Sequence, residues 1–285
     1  MKNYENVSRY YLPNRSPVII RIDGRAFHTF TQGMQKPYDV LFSAVMQNVT
    51  KRLCKEIGNA KFAYQQSDEI SILLIDYEKI ETQPWFNNNL NKLVSVSSSI
   101  ATYHFNELIH NAHDLGFLTC TKDKPAYFDA RAFVLPKDEV NNYFVWRQQD
   151  CTRNSIESAG HAYFSHKELQ GKNCDEVQEM LFSRKSINWN NYPVYFKRGF
   201  CVKKVHAEPH DTWQQDFNIL SSVTCSRKLT ELKERIIGTS NLKPDGEKRS
   251  CQPVIGIWGR GNRLVGMCTR VCPCVQPTSL KPHGL

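Results

Sequence analysis

Arg21-Ile22-Asp23-Gly24-Arg25-Ala26-Phe27-His28 closes a short apolar run, Val18 to Ile22, with a carboxylate, a glycine and a basic side chain. The run has the length and β-branched content of a buried strand, and Asp23-Gly24 stops it. Its counterpart is Ser67-Asp68-Glu69, which with Gln66 separates two further apolar runs, Lys61 to Gln65 and Ile70 to Ile75, as a hairpin turn would. Between them Pro37 opens a helix over Tyr38 to Ile57. Its apolar residues Leu41, Ala44, Val45, Val49, Leu53 and Ile57 recur at three- and four-residue steps, and Gly58 closes it. After a polar break with Pro84, the spacing of Leu93, Val94, Ile100, Ala101, Phe105 and Leu108 predicts a second long helix over Leu90 to Ile109. Tyr127 to Leu135 then alternates as a strand and ends at Pro136.

The element order is therefore β-α-β-β-α-β, an α+β class chain with the ferredoxin-like arrangement of two split βαβ units. In that topology the first and third strands lie side by side and antiparallel at the sheet centre. The end of strand one then stands beside the start of strand three, so Asp23 and Asp68, 45 residues apart, meet at one edge of the sheet.

Beyond Pro136 the pattern predicts helices over Val140 to Arg153, Ile156 to Phe164 and Asp175 to Phe182, then a strand or hairpin from Tyr195 to Lys204 returning to the core. Residues 217–240 read as one more basic helix. This divides the chain into a palm-like catalytic core (1–135), a helical and β extension packed on it (136–216) and a basic, cysteine-containing C-terminal region (217–285) expected to be poorly ordered.

Composition sets the outer bounds. A chain of 285 residues with 40% hydrophobic content buries a sizeable core. Met1 to Ser16 is polar and aromatic, and no stretch of 18 apolar residues occurs, so the expectation is a cytoplasmic protein without a membrane partner, organelle import remaining compatible. Of ten cysteines the first six are scattered, which reads as reduced thiols; Cys268, Cys272 and Cys274 are too crowded for a zinc knuckle. The net charge of +9 is concentrated late: residues 1–200 carry 24 basic and 21 acidic groups, residues 201–285 carry 13 and 7. That balance favours a polyanionic partner.

Two carboxylates brought together by a sheet, with a backbone carbonyl at Gly24, form an oxygen-rich cradle suited to Mg²⁺. Taken singly, Asp-Gly is a common turn and Ser-Asp-Glu a common hairpin tip. Their neighbours change the reading: Arg21, Arg25, His28 and Lys36 suit a triphosphate, Phe27 offers a stacking face for a base, and Lys92 starts the second long helix.

Arg21 to His28, Lys36-Pro37-x-Asp39, Tyr64-x-Gln66-Ser67-Asp68-Glu69, Phe128-Asp129-x-Arg131, Trp146-Arg147-Gln148-x-Asp150-Cys151 and Ile187-Asn188-Trp189-Asn190-Asn191 resemble, in this order, the tRNA-His guanylyltransferase family with its Thg-like 3′-to-5′ polymerases. The likeness runs from about Asn3 to Lys204. It implies a palm that adds nucleotides to the 5′ end of a tRNA, with ATP and GTP as substrates, two Mg²⁺ ions and a tetrameric assembly. Carried over by position, Asp23 and Asp68 with the Gly24 carbonyl hold the ions, and Glu69 supports them. Asp23, Gly24, Arg25, Ala26, Phe27 and His28 with Ser67 and Asp68 line the nucleotide pocket, and Lys36, Lys92 and Arg131 contact phosphates.

One departure bears on the substrate. Eukaryotic members that act on tRNA-His carry a histidine after Asp-Cys, and here Thr152 replaces it. Template-dependent repair of tRNA 5′ ends is the expectation, ahead of strict tRNA-His maturation. A nucleotide cyclase on the same palm and a catalytically silent RNA-binding protein are the alternatives.

Overall fold

Six antiparallel strands form one sheet in the order β4-β1-β3-β2-β5-β6. In chain order the elements are α1 (Lys2–Val7), β1 (Val18–Gly24), α2 (Phe27–Phe30), α3 (Val40–Glu56), β2 (Ala60–Gln66), β3 (Glu69–Leu74), α4 (Leu90–Asp114) and β4 (Phe128–Val134). There follow α5 (Glu139–Tyr163), α6 (His166–Leu169), α7 (Cys174–Lys185), α8 (Val194–Arg198), β5 (Phe200–Ala207) and β6 (His210–Asp216). The computed structural model describes residues 1–117, 124–207 and 210–216, all inside the first of two compact units, Met1–Ser240. The second unit, Asn241–Leu285, and the helix expected over 217–240 lie outside the described residues, as does the C-terminal cysteine cluster.

The first four strands lie in the order 4-1-3-2, the ferredoxin-like order that the sequence predicts. β1 is apolar without alternation because both of its faces are covered. Val18, Ile20 and Ile22 pack under α3 and α4, whose Val45, Met46, Val49, Leu93, Ala101 and Phe105 complete the larger core. Ile19 faces the other way, into a second core with Phe62, Tyr64, Leu73 and the α5 residues Val140, Tyr143 and Phe144. The period-two rule then puts Arg21 and Asp23 on the α5 face of the sheet. A third, smaller core joins Ile156 and Ala159 of α5 to Val177, Met180 and Leu181 of α7 and to Trp189.

The structure moves several expected boundaries. The first long helix starts at Val40, where Asp39 caps it by accepting from the Phe42 amide at 2.8 Å. The second continues to Asp114. The two helices expected over 140–153 and 156–164 are one 25-residue helix, α5. The polar Asn154-Ser155 pair does not break it: Asn154 Nδ2 donates to Asp150 and the Ser155 hydroxyl to the Thr152 carbonyl, so both side chains fold back onto their own turn. The expected strand or hairpin from Tyr195 begins instead with the helical turn α8, which Gly199 ends at φ +80° before β5 pairs with β2.

Candidate active site

The pairing register brings the two carboxylates together. Ile22 lies opposite Ile70 across β1 and β3, and β2 turns into β3 through Ser67 and Asp68, with Ser67 in the left-handed region at φ +47°. Burial first, then the nearby Asp23 charge, pushes the Asp68 carboxyl up to about 6; the Ser67 hydroxyl opposes the shift by hydrogen bonding. Asp23 and Asp68 open into a cavity of about 420 Å³ whose lining also includes Lys36, Ser67, Tyr38 and Asn154. One wall is fixed by Tyr38, whose hydroxyl donates to the Ser155 carbonyl at 2.5 Å while its ring stacks on Phe196 at 4.7 Å. Burial raises that hydroxyl's pKa to about 12, so it stays a donor.

Glu69 has a different setting. Its carboxylate accepts from Arg21 at 2.6 Å and from Arg147 at 2.9 and 3.2 Å, and Arg147 also reaches Asp150 at 3.3 Å. Both arginines are thereby committed to Glu69, which leaves Asp23 and Asp68 without either of them. Like charges facing each other, one held in its neutral form up to about pH 6, are the electrostatic signature of a place for a cation. The two carboxylates offer only oxygen donors, which fits a hard divalent ion; Gly24 is not among the residues that line the cavity. Among the described residues there is no group of three or more His, Cys, Asp or Glu to offer a softer metal a closed site.

The remaining expected residues divide. Ser67 and Lys36 line the cavity with the two aspartates. Arg25, Ala26 and His28 are exposed on the turn that follows β1; the Arg25 amide donates to the Tyr127 carbonyl and Ala26 has φ +56°. Phe27 offers no stacking face. Its ring is 4% exposed and packs among Phe30, Phe42, Phe105 and Phe128 with centroids 5.0–6.0 Å away, because an aromatic at that step of the turn falls into the larger core. Lys92 lies over the Phe86 ring at 5.5 Å, in a separate hollow with Arg9 and Tyr11, and Arg131 is exposed on β4 beside Asp129 at 3.5 Å; neither lines the carboxylate cavity. Sequence reasoning gave no role to Arg147 or Asp150, although a basic and an acidic residue three apart on a predicted helix face was a usable signal.

Gly24 acquires a packing reason. A Cβ there would stand 2.4 Å from a carbon of the Phe27 ring, and the surrounding rings give it nowhere to go. Gly24→Ala is expected to cost about 1–3 kcal/mol by overpacking, read as a lower urea midpoint with an unchanged slope; a midpoint equal to that of the parent would refute the close-approach account.

The model of the tRNAHis guanylyltransferase family matches residues 1–136, and that of the Thg1 C terminal domain matches residues 138–242. A probable tRNA(His) guanylyltransferase of Dictyostelium discoideum is 31% identical over 206 residues, 66% of this chain and 75% of that protein. The chain belongs to the tRNAHis guanylyltransferase family. Membership makes it a nucleotidyltransferase. Among solved structures, a bacterial tRNA(HIS) guanylyltransferase (Thg1)-like protein in complex with ATP superposes with TM-score 0.74 at 43% identity, covering 83% of this chain and 96% of that one. A bacterial Thg1-like protein in complex with GTP gives TM-score 0.67 at 41% identity, covering 81% and 96%. No helix among the described residues is long and apolar enough to cross a membrane.

Proposed function

We propose that this guanylyltransferase-family chain is a Mg²⁺-dependent 3′-to-5′ nucleotidyltransferase that adds nucleotides, GTP foremost, to the 5′ ends of tRNAs by copying the opposing strand. The observation that carries it is the Asp23–Asp68 pair, left unneutralised at the floor of a cavity while the nearest arginines are bound to Glu69. The ATP and GTP complexes of the bacterial relatives support nucleoside triphosphates as its substrates. Residues 1–135 are the catalytic palm, a reading supported by the break between the two family matches at 136–138.

In this reading Asp23, Asp68 and the Gly24 carbonyl would hold two Mg²⁺ ions, which when bound would supply positive charge to an attacking hydroxyl and to the departing pyrophosphate. The chain's own groups do the positioning. Lys36 meets the triphosphate from the cavity wall, Ser67 hydrogen-bonds at the turn, and Tyr38 stacked on Phe196 forms a fixed wall of the site. The 3′ hydroxyl of the held nucleotide forms the new ester with the 5′ α-phosphorus of a 5′-triphosphorylated RNA end as the bond to the pyrophosphate leaving group breaks and the hydroxyl proton passes to solvent; on an end activated by ATP the leaving group is AMP.

Thr152 supports repair over strict tRNA-His maturation, since its hydroxyl donates to the Gln148 carbonyl at 3.0 Å instead of presenting to a ligand. The protein is proposed to act in the cytoplasm as a homo-oligomer, a tetramer by family resemblance. The test is labelled GTP incorporation onto 5′-truncated transcripts of tRNA-His and of a second tRNA whose missing nucleotide is templated. Addition to both, abolished by EDTA and restored by Mg²⁺, is expected. Addition to tRNA-His alone overturns the repair reading, and a cyclic nucleotide product without RNA overturns the transferase reading.

A further inference from the structure

The carboxylate cavity covers only part of the α5 face of the sheet. On the flank of α5 toward the edge strand β4, one large aromatic side chain stands half-exposed. Trp146 is 51% exposed, yet its ring is not loose. The Arg147 guanidinium lies 3.7 Å from the ring centroid and the Tyr143 ring 5.9 Å away. Arg147 is itself held by Glu69 and Asp150, and Tyr143 shares a 2.8 Å hydrogen bond with Ser71, so the indole is braced from behind by two immobile groups.

Its position follows from helix periodicity. Phe144 meets Phe62 on β2, whereas Tyr143 meets Phe133 on β4. Trp146, three residues after Tyr143, lies on that β4 flank. Beneath it the strands pair Ser71 with Arg21, Arg21 with Arg131, and Asp23 with Asp129. Directly paired residues share a face, so Arg131 stands in the row next to the catalytic aspartate. Among the described residues its ion-pair partner is the exposed Asp129 at 3.5 Å, a weak contact that a phosphate can replace.

A half-exposed indole on the β4 flank of α5 and an exposed guanidinium on β4 offer a nucleotide a stacking plane for the base and a fork for the phosphate. We infer that Trp146 and Arg131 form the seat for the 5′-terminal nucleotide of the RNA strand being extended. This rests on the transfer reading above and deepens it. That reaction joins two substrates at Asp23 and Asp68. The cavity, about 420 Å³, is at the lower end of the roughly 300–1,000 Å³ of small-ligand sites and accommodates one nucleoside triphosphate. The second substrate must reach the same carboxylates, and Arg131, in the strand row next to Asp23, with Trp146 on the α5 flank toward β4, is placed to receive it from that side.

The experiment uses the full chain and a 5′-triphosphorylated tRNA transcript lacking its first nucleotide, with 2-aminopurine at the new 5′ end. The parent protein quenches this fluorophore by stacking and adds the missing nucleotide. Trp146→Ala is expected to abolish the quench and raise the KM for RNA about tenfold while leaving the KM for GTP unchanged. Trp146→Phe retains most of both. Arg131→Ala is expected to raise the RNA KM and to lower the slope of log binding against log salt by about one.

A quench that persists in Trp146→Ala, or an RNA KM that does not rise, overturns the inference. So does an equal rise of both KM values in Trp146→Phe, whose ring preserves the fold. A parent protein that incorporates no nucleotide defeats the transfer reading instead, and the quench then still reports whether the RNA end stacks on Trp146.

Discussion

Asp23→Asn and Asp68→Asn each reduce GTP incorporation by about 10³-fold or more, while Asp68→Asn makes the metal-free protein more stable than its parent. On the proposed mechanism the loss follows from the removal of one of the two carboxylates that would hold the ions, since electrostatic stabilisation is the main contribution to phosphoryl-type transfer. The gain follows from where Asp68 sits. A carboxyl whose folded-state pKa of about 6 stands well above its unfolded value lowers stability once the pH exceeds both, since folding must then bring a charge into a dehydrated place facing Asp23. Asparagine fills the same volume without that charge. At pH 7.5 in EDTA the gain is on the order of 2 kcal/mol, seen as a rise of several degrees in the melting midpoint. Added Mg²⁺ raises the midpoint of the parent and leaves that of Asp68→Asn nearly unchanged. A variant that is inactive and also less stable in EDTA would show Asp68 to be a structural residue, and the cation reading would fail.

The same pair shows how far the sequence could be read. Its meeting was legible because two independent signals, a β-branched run stopped by Asp-Gly and a hairpin tip carrying Asp-Glu, acquire a common location once the βαββαβ order is fixed. Topology does the joining, and topology is coded by periodicity that survives in a single sequence. Phe27 was misread for the complementary reason. Whether an aromatic in a turn faces solvent or core depends on the path of the turn, and here Ala26 at φ +56° sends the chain back over the sheet and drops the ring among four others. The single helix from Glu139 to Tyr163 was hidden by local polarity, since Asn154 and Ser155 resemble a break until their side chains are seen bonded to the preceding turn. Lys92 begins a helix as expected, but nothing in its neighbourhood tells which end of α4 adjoins the carboxylates. Arg147 was the costliest omission. A charged residue inside an apolar helix face is normally exposed, and only the carboxylate waiting on β3 explains why this one is buried.

That burial sets a large stability effect. Arg147 and Glu69 have side chains 4% and 8% exposed, and Glu69 is the shared acceptor for Arg147 and Arg21. Burial, with a smaller contribution from the Asp23 charge, raises the Glu69 pKa, and the two guanidiniums oppose that shift. Removing one member of such a cluster strands the others. Glu69→Ala leaves two arginines converging on a site without its anion and is expected to cost about 3–5 kcal/mol. Arg147→Ala should cost less, because Arg21 stays on Glu69 at 2.6 Å and Arg153 stays on Asp150. The ordering separates two roles for Glu69. As a direct support for the ions it would behave like Asp68, losing activity with no loss of stability in EDTA. As the tie that fixes α5 against the β2–β3 turn it loses both together, and Glu69→Gln, which keeps the shape but weakens both charged contacts, falls between. Urea unfolding of Glu69→Ala, Arg147→Ala and the double variant decides the matter. A coupling energy of at least about 1 kcal/mol between the two positions is expected for residues sharing a buried ion cluster, and simple additivity would mean that the short contacts at Glu69 do not hold the helix to the catalytic turn.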